Sequence, residues 1–383
     1  MKYNKLEVNL KALRTNIKTA LKIIGKNNFF YPFVKSNAYG VGIHEVTRIL
    51  TEEGLHEVGL LTSEEARSLN SKKVQILIFG PIEKSEEFLS NPHWTPIISS
   101  FDDLNIFSQT IMNNKSSHNI HIKFDVGMSR LGFDSKDTDE LISFFKTNTH
   151  LKLQGVCAHL SRGEDIGIPN SSAGKQIEQF KKIGKEIKKH IPSIKQHLLN
   201  SSALLGSFCH DLDIEYGSRL GGFIYGIKHD IENQTQTALK KWSQLDLQPV
   251  TTLKAGVLSS RVISQGCGVS YDSLWKAKTD SNIAVISMGY ADGISRNLTG
   301  MDVLFRGQRV PIVGAVCMNF FMIDLTPVLG LKEKPKRGEE IVIYGKQQNQ
   351  EITIKEHAQA LGSIPYEVMT HISPSVQRVY YDL

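Results

Sequence analysis

The amino-acid sequence predicts an α/β protein in which a (β/α)8 TIM-like barrel is followed by a mainly β C-terminal domain. Three observations support this. About eight short β-rich runs alternate with amphipathic helical patterns in the first part of the chain, and such a barrel closes with eight strands. From Leu245 the pattern changes to β-prone stretches interrupted by glycine. The chain of 383 residues is also longer than one hydrophobic core usually supports.

The predicted elements follow in order along the chain. Barrel strands are predicted at residues 29–34, 56–61, 74–79, 95–98, 120–124, 153–157, 196–199 and 214–216. Strands of the β domain are predicted at residues 258–263, 283–287, 310–313, 321–325 and 341–344. Between barrel strands, Thr62 and Glu65 have the spacing of a capping box, and Gly54 is placed to end a helix.

These patterns predict a barrel over residues 8–235 and a β domain over residues 245–383, with residues 1–7 as a candidate addition to the β domain. The boundary is expected in the polar stretch 228–236. The formal net charge is only +6, and the one basic cluster, 181–189, overlies apolar residues at near-helical spacing. This indicates a solvated helix face rather than a nucleic-acid interface.

The N-terminal residues carry charges where a signal peptide would need an apolar core, and no later apolar run is long enough to span a bilayer. A cytoplasmic protein is therefore expected. The four cysteines show no CxxC spacing, so reduced thiols are expected rather than a disulfide framework or a metal site.

Lys35 stands where the sequence changes from apolar to polar. It follows the apolar run 29–34 and precedes the glycine-punctuated stretch 36–42. If that run is a barrel strand, Lys35 lies at its carboxyl end, on the face where barrel loops build active sites. A lysine there is either a solvated end charge or an amine that can form a Schiff base, with pyridoxal phosphate as the cofactor.

The predicted fifth strand alternates between an apolar face and a polar face that carries Lys123. If helices cover the apolar face, Lys123 points into the barrel. A buried lysine is either paired with a carboxylate or kept neutral, and a neutral amine can be carbamylated by CO2. Small and polar residues follow the seventh and eighth strands at 200–202 and 219–226, where barrels commonly bind phosphate.

The segment 34–40, Val-Lys-Ser-Asn-Ala-Tyr-Gly, resembles the cofactor-lysine motif of alanine racemases. Further segments resemble motifs of that family in the same order: 123–133, 157–160, 200–202, 219–226, 268–272, 289–293, 317–319 and 365–367. The resemblance extends from Val34 to Arg378. It implies an isomerase that interconverts L-alanine and D-alanine by two-base proton transfer on a pyridoxal 5'-phosphate external aldimine.

The resemblance also implies residue roles. Lys35 and Tyr271 would be the two catalytic bases, and Arg130 and the Met318 amide would bind the substrate carboxylate. Lys123, as a carbamate, would hold Arg130, while Tyr290 and Tyr366 would narrow the entrance to the substrate channel. The implied cofactor contacts are Lys35, Tyr39, His159, Ser201, Arg219, Gly221, Gly222 and Tyr366.

Two implications concern charge and assembly. Arg219 would face the pyridine nitrogen, and because an arginine does not release its proton near neutral pH, the nitrogen would stay largely unprotonated. The family's catalytic tyrosine comes from the partner subunit, so Tyr271 implies a homodimer with shared active sites. Nearby cations such as Arg130 would favour its phenolate form.

Asn319 departs from the family pattern, which usually has aspartate there, and this leaves a larger substrate such as serine or lysine open. Ser36, Val41 and Gly222 also replace residues common in the family. A different enzyme class, a basic-amino-acid decarboxylase with pyridoxal phosphate, would be expected to have an acidic residue in place of Arg219 and a cysteine in place of Tyr271. A non-enzymatic cofactor-carrier barrel would not need the second domain.

Overall fold

The computed structural model describes residues 3–230 and 235–382. The chain divides into two compact units. The barrel unit contains Leu13–Ala38 and Ile43–Gln248, and the β unit contains the chain up to Ala12, Tyr39–Gly42 and the chain from Pro249 onwards. Within the boundary predicted at 228–236, residues 231–234 lie outside the described residues. The predicted domain limits remain a prediction.

The barrel unit is built on an eight-stranded parallel sheet. The first strand of the chain, β1 (Lys5–Asn9), belongs to the β unit. The strands of the barrel sheet are β2 (Phe30–Pro32), β3 (Glu57–Leu60), β4 (Gln75–Ile78), β5 (Trp94–Ile98), β6 (His118–Lys123), β7 (Leu151–Cys157), β8 (Lys195–Leu199) and β9 (Gly217–Leu220). The strand order is β2-β9-β8-β7-β6-β5-β4-β3. A parallel bridge from Phe33 to Gly59 joins the two ends of the sheet and closes the barrel.

Helices connect these strands. They are α1 (Leu10–Ile24), α2 (Lys35–Tyr39), α3 (Ile43–Glu52), α4 (Ser63–Leu69), α5 (Glu86–Ser90), α6 (Phe101–Asn113), α7 (Thr138–Thr147), α8 (Ser172–His190), α9 (Ser201–Cys209) and α10 (Gln236–Gln244). The capping box predicted for Thr62 and Glu65 is present at the start of α4. The basic cluster lies on α8, which buries Phe180, Ile183 and Ile187.

The predicted eighth strand is wrong in position. Residues 214–216 are not a strand, and the eighth barrel strand is β9, directly after them. Tyr216 instead packs edge-on against Phe180 of α8, with ring centroids 5.4 Å apart. Gly217 is the first residue of β9, and glycine is needed there because a Cβ would lie 2.3 Å from the ring of Phe29. The strand therefore starts at a glycine that β propensity disfavours.

The β unit contains a mixed nine-stranded sheet. Besides β1, its strands are β10 (Thr251–Ile263), β13 (Ser281–Ile286), β14 (Asp302–Phe305), β15 (Gln308–Val313), β16 (Phe321–Asp324), β17 (Glu340–Gln347), β18 (Gln350–Ile352) and β19 (Gln377–Tyr381). A two-stranded hairpin, β11 (Gly268–Val269) with β12 (Trp275–Lys276), stands beside it, and the helices are α11 (Thr326–Leu329), α12 (Ile354–Ala360) and α13 (Pro365–His371). β1 pairs antiparallel with β10 and parallel with β19.

The predicted fold class, a TIM-like barrel followed by a mainly β domain, is confirmed. The interior of the barrel holds aromatic and imidazole rings rather than aliphatic layers alone: Tyr31 is fully buried, and its ring lies 5.1 Å from that of His197. His197 in turn lies 5.1 Å from His121. Across the described ranges, none of the helices has the length and apolarity to cross a membrane.

Candidate active site

Lys35 begins a strained turn at the carboxyl end of β2. Ser36, Asn37, Ala38 and Tyr39 all have φ between 52° and 57°, so α2 is a left-handed helical turn without glycine. The left-handed conformation costs an L-residue about 1–2 kcal/mol. Because Ser36 and Asn37 are exposed, burial of their side chains does not offset this cost, and specific hydrogen bonds must hold the turn. Backbone strain of this kind concentrates at functional sites.

The Lys35 amine is half-buried and lies 5.8 Å from the centre of the Phe33 ring. Burial lowers its pKa, the Arg130 guanidinium lowers it further, and the Glu65 carboxylate opposes both effects. Lys35 is thus shifted toward the neutral, nucleophilic form.

Lys123 lies at the end of β6 and is 8% exposed. Burial lowers its pKa, and the cations Arg130 and Arg219 add to the effect, while Cys157 and Asp125 oppose it. The sequence parity that put Lys123 inside the barrel therefore agrees with its burial. Burial and two nearby cations therefore shift the Lys123 amine toward its neutral form.

Arg130 lies in the loop after β6, which is organised by one carboxylate. Asp125 accepts hydrogen bonds from the backbone N–H groups of Gly127 at 2.7 Å, Met128 at 2.9 Å and Arg130 at 3.0 Å. Partial burial raises the pKa of Asp125, but the backbone donors outweigh it and lower the pKa. Gly132 is required because a Cβ there would lie 2.4 Å from the Asp125 nitrogen. The loop presents the Arg130 side chain to solvent.

Arg219 on β9 is the buried centre of a hydrogen-bond network. Its guanidinium donates to the carbonyls of His197 at 2.6 Å, Ala158 at 2.5 Å and Leu198 at 3.3 Å. It also contacts Nδ1 of both His197 and His159 at 3.1 Å. Since a guanidinium only donates, both ring nitrogens must accept. The single Arg219 side chain therefore sets the tautomers of two histidines.

The network continues into the barrel. With its Nδ1 accepting, a neutral His197 carries its proton on Nε2 and donates it to Nδ1 of His121, 2.9 Å away. Burial, and then the Arg219 charge, keep the pKa values of His159 and His197 well below the usual range. Burial and the Lys195 charge lower the pKa of His121 to about 3. Gly155 on β7 leaves room for His121, since a Cβ there would lie 2.4 Å from its ring.

A cradle of small residues follows β8 and β9. Ser201 is buried at the first position of α9, and its Oγ accepts a hydrogen bond from the Phe223 N–H at 3.3 Å. Asn200 caps the helix by accepting from Ala203 N–H at 2.9 Å. Gly221 and Gly222 lie in the turn that follows β9. A hydroxyl, a helix start and two glycines together form a donor set suited to a phosphate.

The site residues of the β unit have a different character. Tyr271 is 66% exposed and lies in a turn with positive φ at Ser270, Asp272 and Ser273. Ser270 Oγ donates to the Ala315 carbonyl at 2.6 Å. The turn is therefore fixed to the loop that leads to Met318 although its tyrosine side chain projects into solvent.

Tyr290 and Met318 belong to hydrogen-bonded loops. Tyr290 N–H donates to the Cys317 carbonyl at 3.1 Å, and Ala291 N–H donates to the Met318 carbonyl at 2.9 Å. A Cβ at Gly289 would lie 2.3 Å from the Cys317 carbonyl oxygen, so this approach requires glycine. Both Tyr290 and Met318 are exposed, as is Asn319. The rings of Tyr39 and Tyr366 lie together in the same unit, with centroids 5.7 Å apart.

The structure thus brings the predicted residues together in two groups, one within each unit. Lys35, Lys123, Arg130, His159 and Arg219 are joined by hydrogen bonds or mutual electrostatic effects. Sequence reasoning missed the part played by the polar residues behind them, which are Glu65, His121, His197 and Asn200. The signal for His121 was parity, which places it on the same face as Lys123. Glu65 was marked only by the capping box and Asn200 only by its place in the segment 200–202.

The comparisons with known proteins agree along the whole chain. Residues 8–229 match the family profile described as alanine racemase, N-terminal domain, and residues 250–380 match the alanine racemase, C-terminal domain. An alanine racemase of Nostoc sp. is 32% identical, covering 98% of this chain and 95% of the relative. The crystal structure of alanine racemase from Streptomyces lavendulae, a producer of D-cycloserine, aligns with a TM-score of 0.85 and 28% identity over 99% of this chain and 97% of that one. An alanine racemase from Bartonella henselae with covalently bound pyridoxal phosphate aligns with a TM-score of 0.82 and 26% identity over 99% of both chains.

Proposed function

The chain belongs to the alanine racemase family, and we propose that it interconverts L-alanine and D-alanine with pyridoxal 5'-phosphate as its cofactor. Membership confirms the resemblance predicted from the motifs and the isomerase class. The observation that carries the proposal is the Lys35 amine, held in a strained turn at a barrel strand end with its pKa lowered by burial.

The barrel residues fit the cofactor chemically. Lys35 is an amine biased toward its neutral form, as attachment to an aldehyde requires. The buried Ser201 hydroxyl, with Gly221 and Gly222, suits a phosphate that must approach the backbone closely. Arg219 provides a permanent donor for a pyridine nitrogen. His159 is the remaining proposed contact from the barrel unit, and Tyr39 and Tyr366 are proposed contacts from the β unit.

When bound, pyridoxal phosphate supplies an electron sink that acidifies the Cα proton of an amino acid. Racemisation then needs a base on each face of Cα. Lys35 Nζ is proposed to move the proton on one face, and the phenol of the partner subunit's Tyr271 on the other. Arg130 binds the substrate carboxylate through its planar guanidinium, and the Met318 amide contributes a further donor.

Assembly as a homodimer is proposed because the β unit exposes apolar side chains around its catalytic tyrosine. Leu274 is 69% exposed, Tyr271 66% and Met318 55%. Large apolar side chains exposed close together mark interaction surfaces. The shared active site predicted from the sequence would cover these side chains, and a dimer would complete each site with a tyrosine from its partner.

Carbamylation of Lys123 is proposed because its amine is buried near two cations. Burial and the charges of Arg130 and Arg219 lower the pKa of the amine, and a neutral amine reacts with CO2. The product is an anion and would attract the Arg130 guanidinium, which a protonated Lys123 would repel. This would fix the Arg130 side chain, which the loop alone leaves exposed.

Alanine is the proposed substrate, and Asn319 is the residue through which a larger side chain would be admitted. Purified enzyme should convert L-alanine to the D-isomer faster than L-serine or L-lysine. A higher kcat/KM for L-serine or L-lysine than for L-alanine would show that the larger amino acid is the substrate.

The proposed function can be tested on the purified protein. Purified protein should be yellow, should racemise both isomers of alanine, and after borohydride reduction should carry the cofactor on the peptide that contains Lys35. Lys35→Ala should lower activity by more than about 10⁴-fold, because one residue supplies both attachment and a base. The exposed Lys72 provides the matched control, Lys72→Ala. Full activity in Lys35→Ala would refute the proposal.

A further inference from the structure

We propose that Glu65 is a positioning residue for Lys35, whose carboxylate fastens the left-handed turn after Lys35 to the start of α4. The inference rests on the proposed function, because it concerns the lysine that would carry the cofactor. Glu65 lies 30 positions further along the chain, and beyond the capping box no sequence motif marks it.

The two oxygens of this carboxylate have different partners. Oε1 accepts a hydrogen bond from the Ser36 N–H at 2.5 Å. Oε2 accepts from Leu61 N–H at 2.8 Å and from Thr62 N–H at 3.3 Å. One side chain thus serves both as the cap of α4 and as the acceptor for the first residue after Lys35.

The hydrogen bond from Ser36 to Glu65 stabilises the left-handed turn at the residue that directly follows Lys35. Ser36 has φ 52°, carries a Cβ and is exposed, so neither glycine nor burial stabilises its conformation. The far side of the turn has its own anchors: Ala38 N–H donates to the Val34 carbonyl at 2.8 Å, and Asn37 Oδ1 accepts from Ile43 N–H at 2.9 Å. A charge-assisted bond from Glu65 fixes the near side, next to Lys35.

The charge of Glu65 has a second effect. The groups that act on the Lys35 amine are the cation Arg130, the carboxylate of Glu65 and the imidazole of His159, which burial keeps neutral. Arg130 and burial lower the pKa of Lys35, whereas Glu65 raises it. Removal of the Glu65 charge should therefore lower the pKa of Lys35 further. A residue that only capped α4 would have no such effect.

The matched variants separate these functions. Glu65→Gln keeps an acceptor oxygen but removes the charge, and Glu65→Ala removes both. Thr62→Val removes the other half of the capping box, the Thr62 Oγ1 acceptor of the Glu65 N–H at 3.2 Å, and leaves the Ser36 contact. Glu64→Gln removes the same charge from the neighbouring exposed position of α4.

Two measurements use the cofactor-free protein and do not depend on catalysis. The first is amide hydrogen exchange of the peptide that contains residues 35–40. The second is the pH dependence of acetic anhydride labelling at Lys35. We expect faster exchange in Glu65→Ala and a lower labelling pKa in both Glu65 variants, with neither change in Thr62→Val or Glu64→Gln. In the holoenzyme, kcat for alanine should fall by roughly 10-fold to 100-fold in Glu65→Ala, since small misplacements of a reacting group have effects of this size, with KM changed less than kcat.

The proposal is overturned if Glu65→Gln leaves the labelling pKa of Lys35 at the wild-type value, or if Thr62→Val changes exchange at 35–40 as much as Glu65→Ala does. If Glu65→Ala does not fold, Glu65→Gln alone decides by the same labelling measurement. If the wild-type protein fails to racemise alanine, the proposed function fails, and the cofactor-free measurements still decide the role of Glu65.

Discussion

The site residues of the barrel unit and those of the β unit differ in how they are held. In the barrel, Arg219 is 5% exposed and Lys123 8%, and hydrogen bonds or nearby charges define their surroundings. In the β unit, the backbone around Tyr271 is fixed while its side chain is 66% exposed. The barrel unit thus buries two of its proposed site residues within one chain. The β unit presents Tyr271, the tyrosine proposed as the second base, on a surface, and this is the arrangement expected of a residue that acts in a partner.

Tyr271 is the exposed residue whose substitution should change activity most. Tyr271→Phe should lower racemisation by about 10³-fold to 10⁴-fold, because one face of Cα would lose its base. Since the side chain is exposed, the free energy of unfolding should change by less than about 0.5 kcal/mol. Racemisation assays and chemical denaturation measure the two quantities. Tyr381→Phe, in β19 of the same unit, is the control, and an active Tyr271→Phe enzyme would contradict the two-base assignment.

Arg219 is the buried residue of the barrel unit whose loss should affect stability most. Arg219→Gln should lower the free energy of unfolding of the cofactor-free protein by about 3–5 kcal/mol, because three buried carbonyls lose a charged donor. Arg309 of the β unit pairs with Glu356 at the surface, so Arg309→Gln should cost no more than about 1 kcal/mol. Urea denaturation of both variants makes the comparison. Equal losses would show that burial is not what distinguishes the two arginines.

Lys123 is the buried barrel residue proposed to act through Arg130. Lys123→Ala should lower activity by about 100-fold, because Arg130 would lose the anion proposed to orient it. Formate or acetate should restore part of the loss by replacing the carbamate oxygens. The control is Lys152→Ala, an exposed lysine on the adjacent strand β7. A Lys123→Ala enzyme that small carboxylates do not activate would argue against the carbamate.

Local patterns predicted much of the fold because they act over a few residues. Alternation in β6 placed Lys123 and His121 in the interior, and both are buried. The capping box of α4 was visible because its two residues are three positions apart. The eighth strand was misplaced because Gly217 has no β propensity, and its position is set by contact with Phe29.

What the sequence did not predict depends on distant partners or on backbone conformation. Four of the five consecutive positive φ values after Lys35 belong to residues other than glycine, so residue type does not indicate them. The contact from His197 to Arg219 spans 22 positions, and that from His121 to His197 spans 76. Such pairs follow from the register of the closed barrel, which propensities do not determine.

Both units contain buried histidines that make stability depend on pH. His121 in the barrel and His357 in the β unit are buried, and burial lowers their pKa values to about 3 and about 4. The folded-state pKa values lie below the unfolded value of about 6.5. At a pH between these two values the unfolded chain therefore binds more protons than the folded chain, and the free energy of unfolding falls as the pH falls. Between pH 7 and pH 5, each such histidine should lower the free energy of unfolding by about 2 kcal/mol.

The barrel should be the more acid-sensitive unit, since burial also lowers the pKa values of His118, His159 and His197. Urea denaturation of the cofactor-free protein at pH 7 and pH 5, followed by hydrogen exchange of peptides from each unit, measures this difference. Barrel peptides should lose protection first. His357→Gln should remove about 2 kcal/mol of the pH dependence from the β unit and leave that of the barrel unchanged. Protection lost first from the β sheet would mean that the buried barrel histidines are not what limits stability in acid.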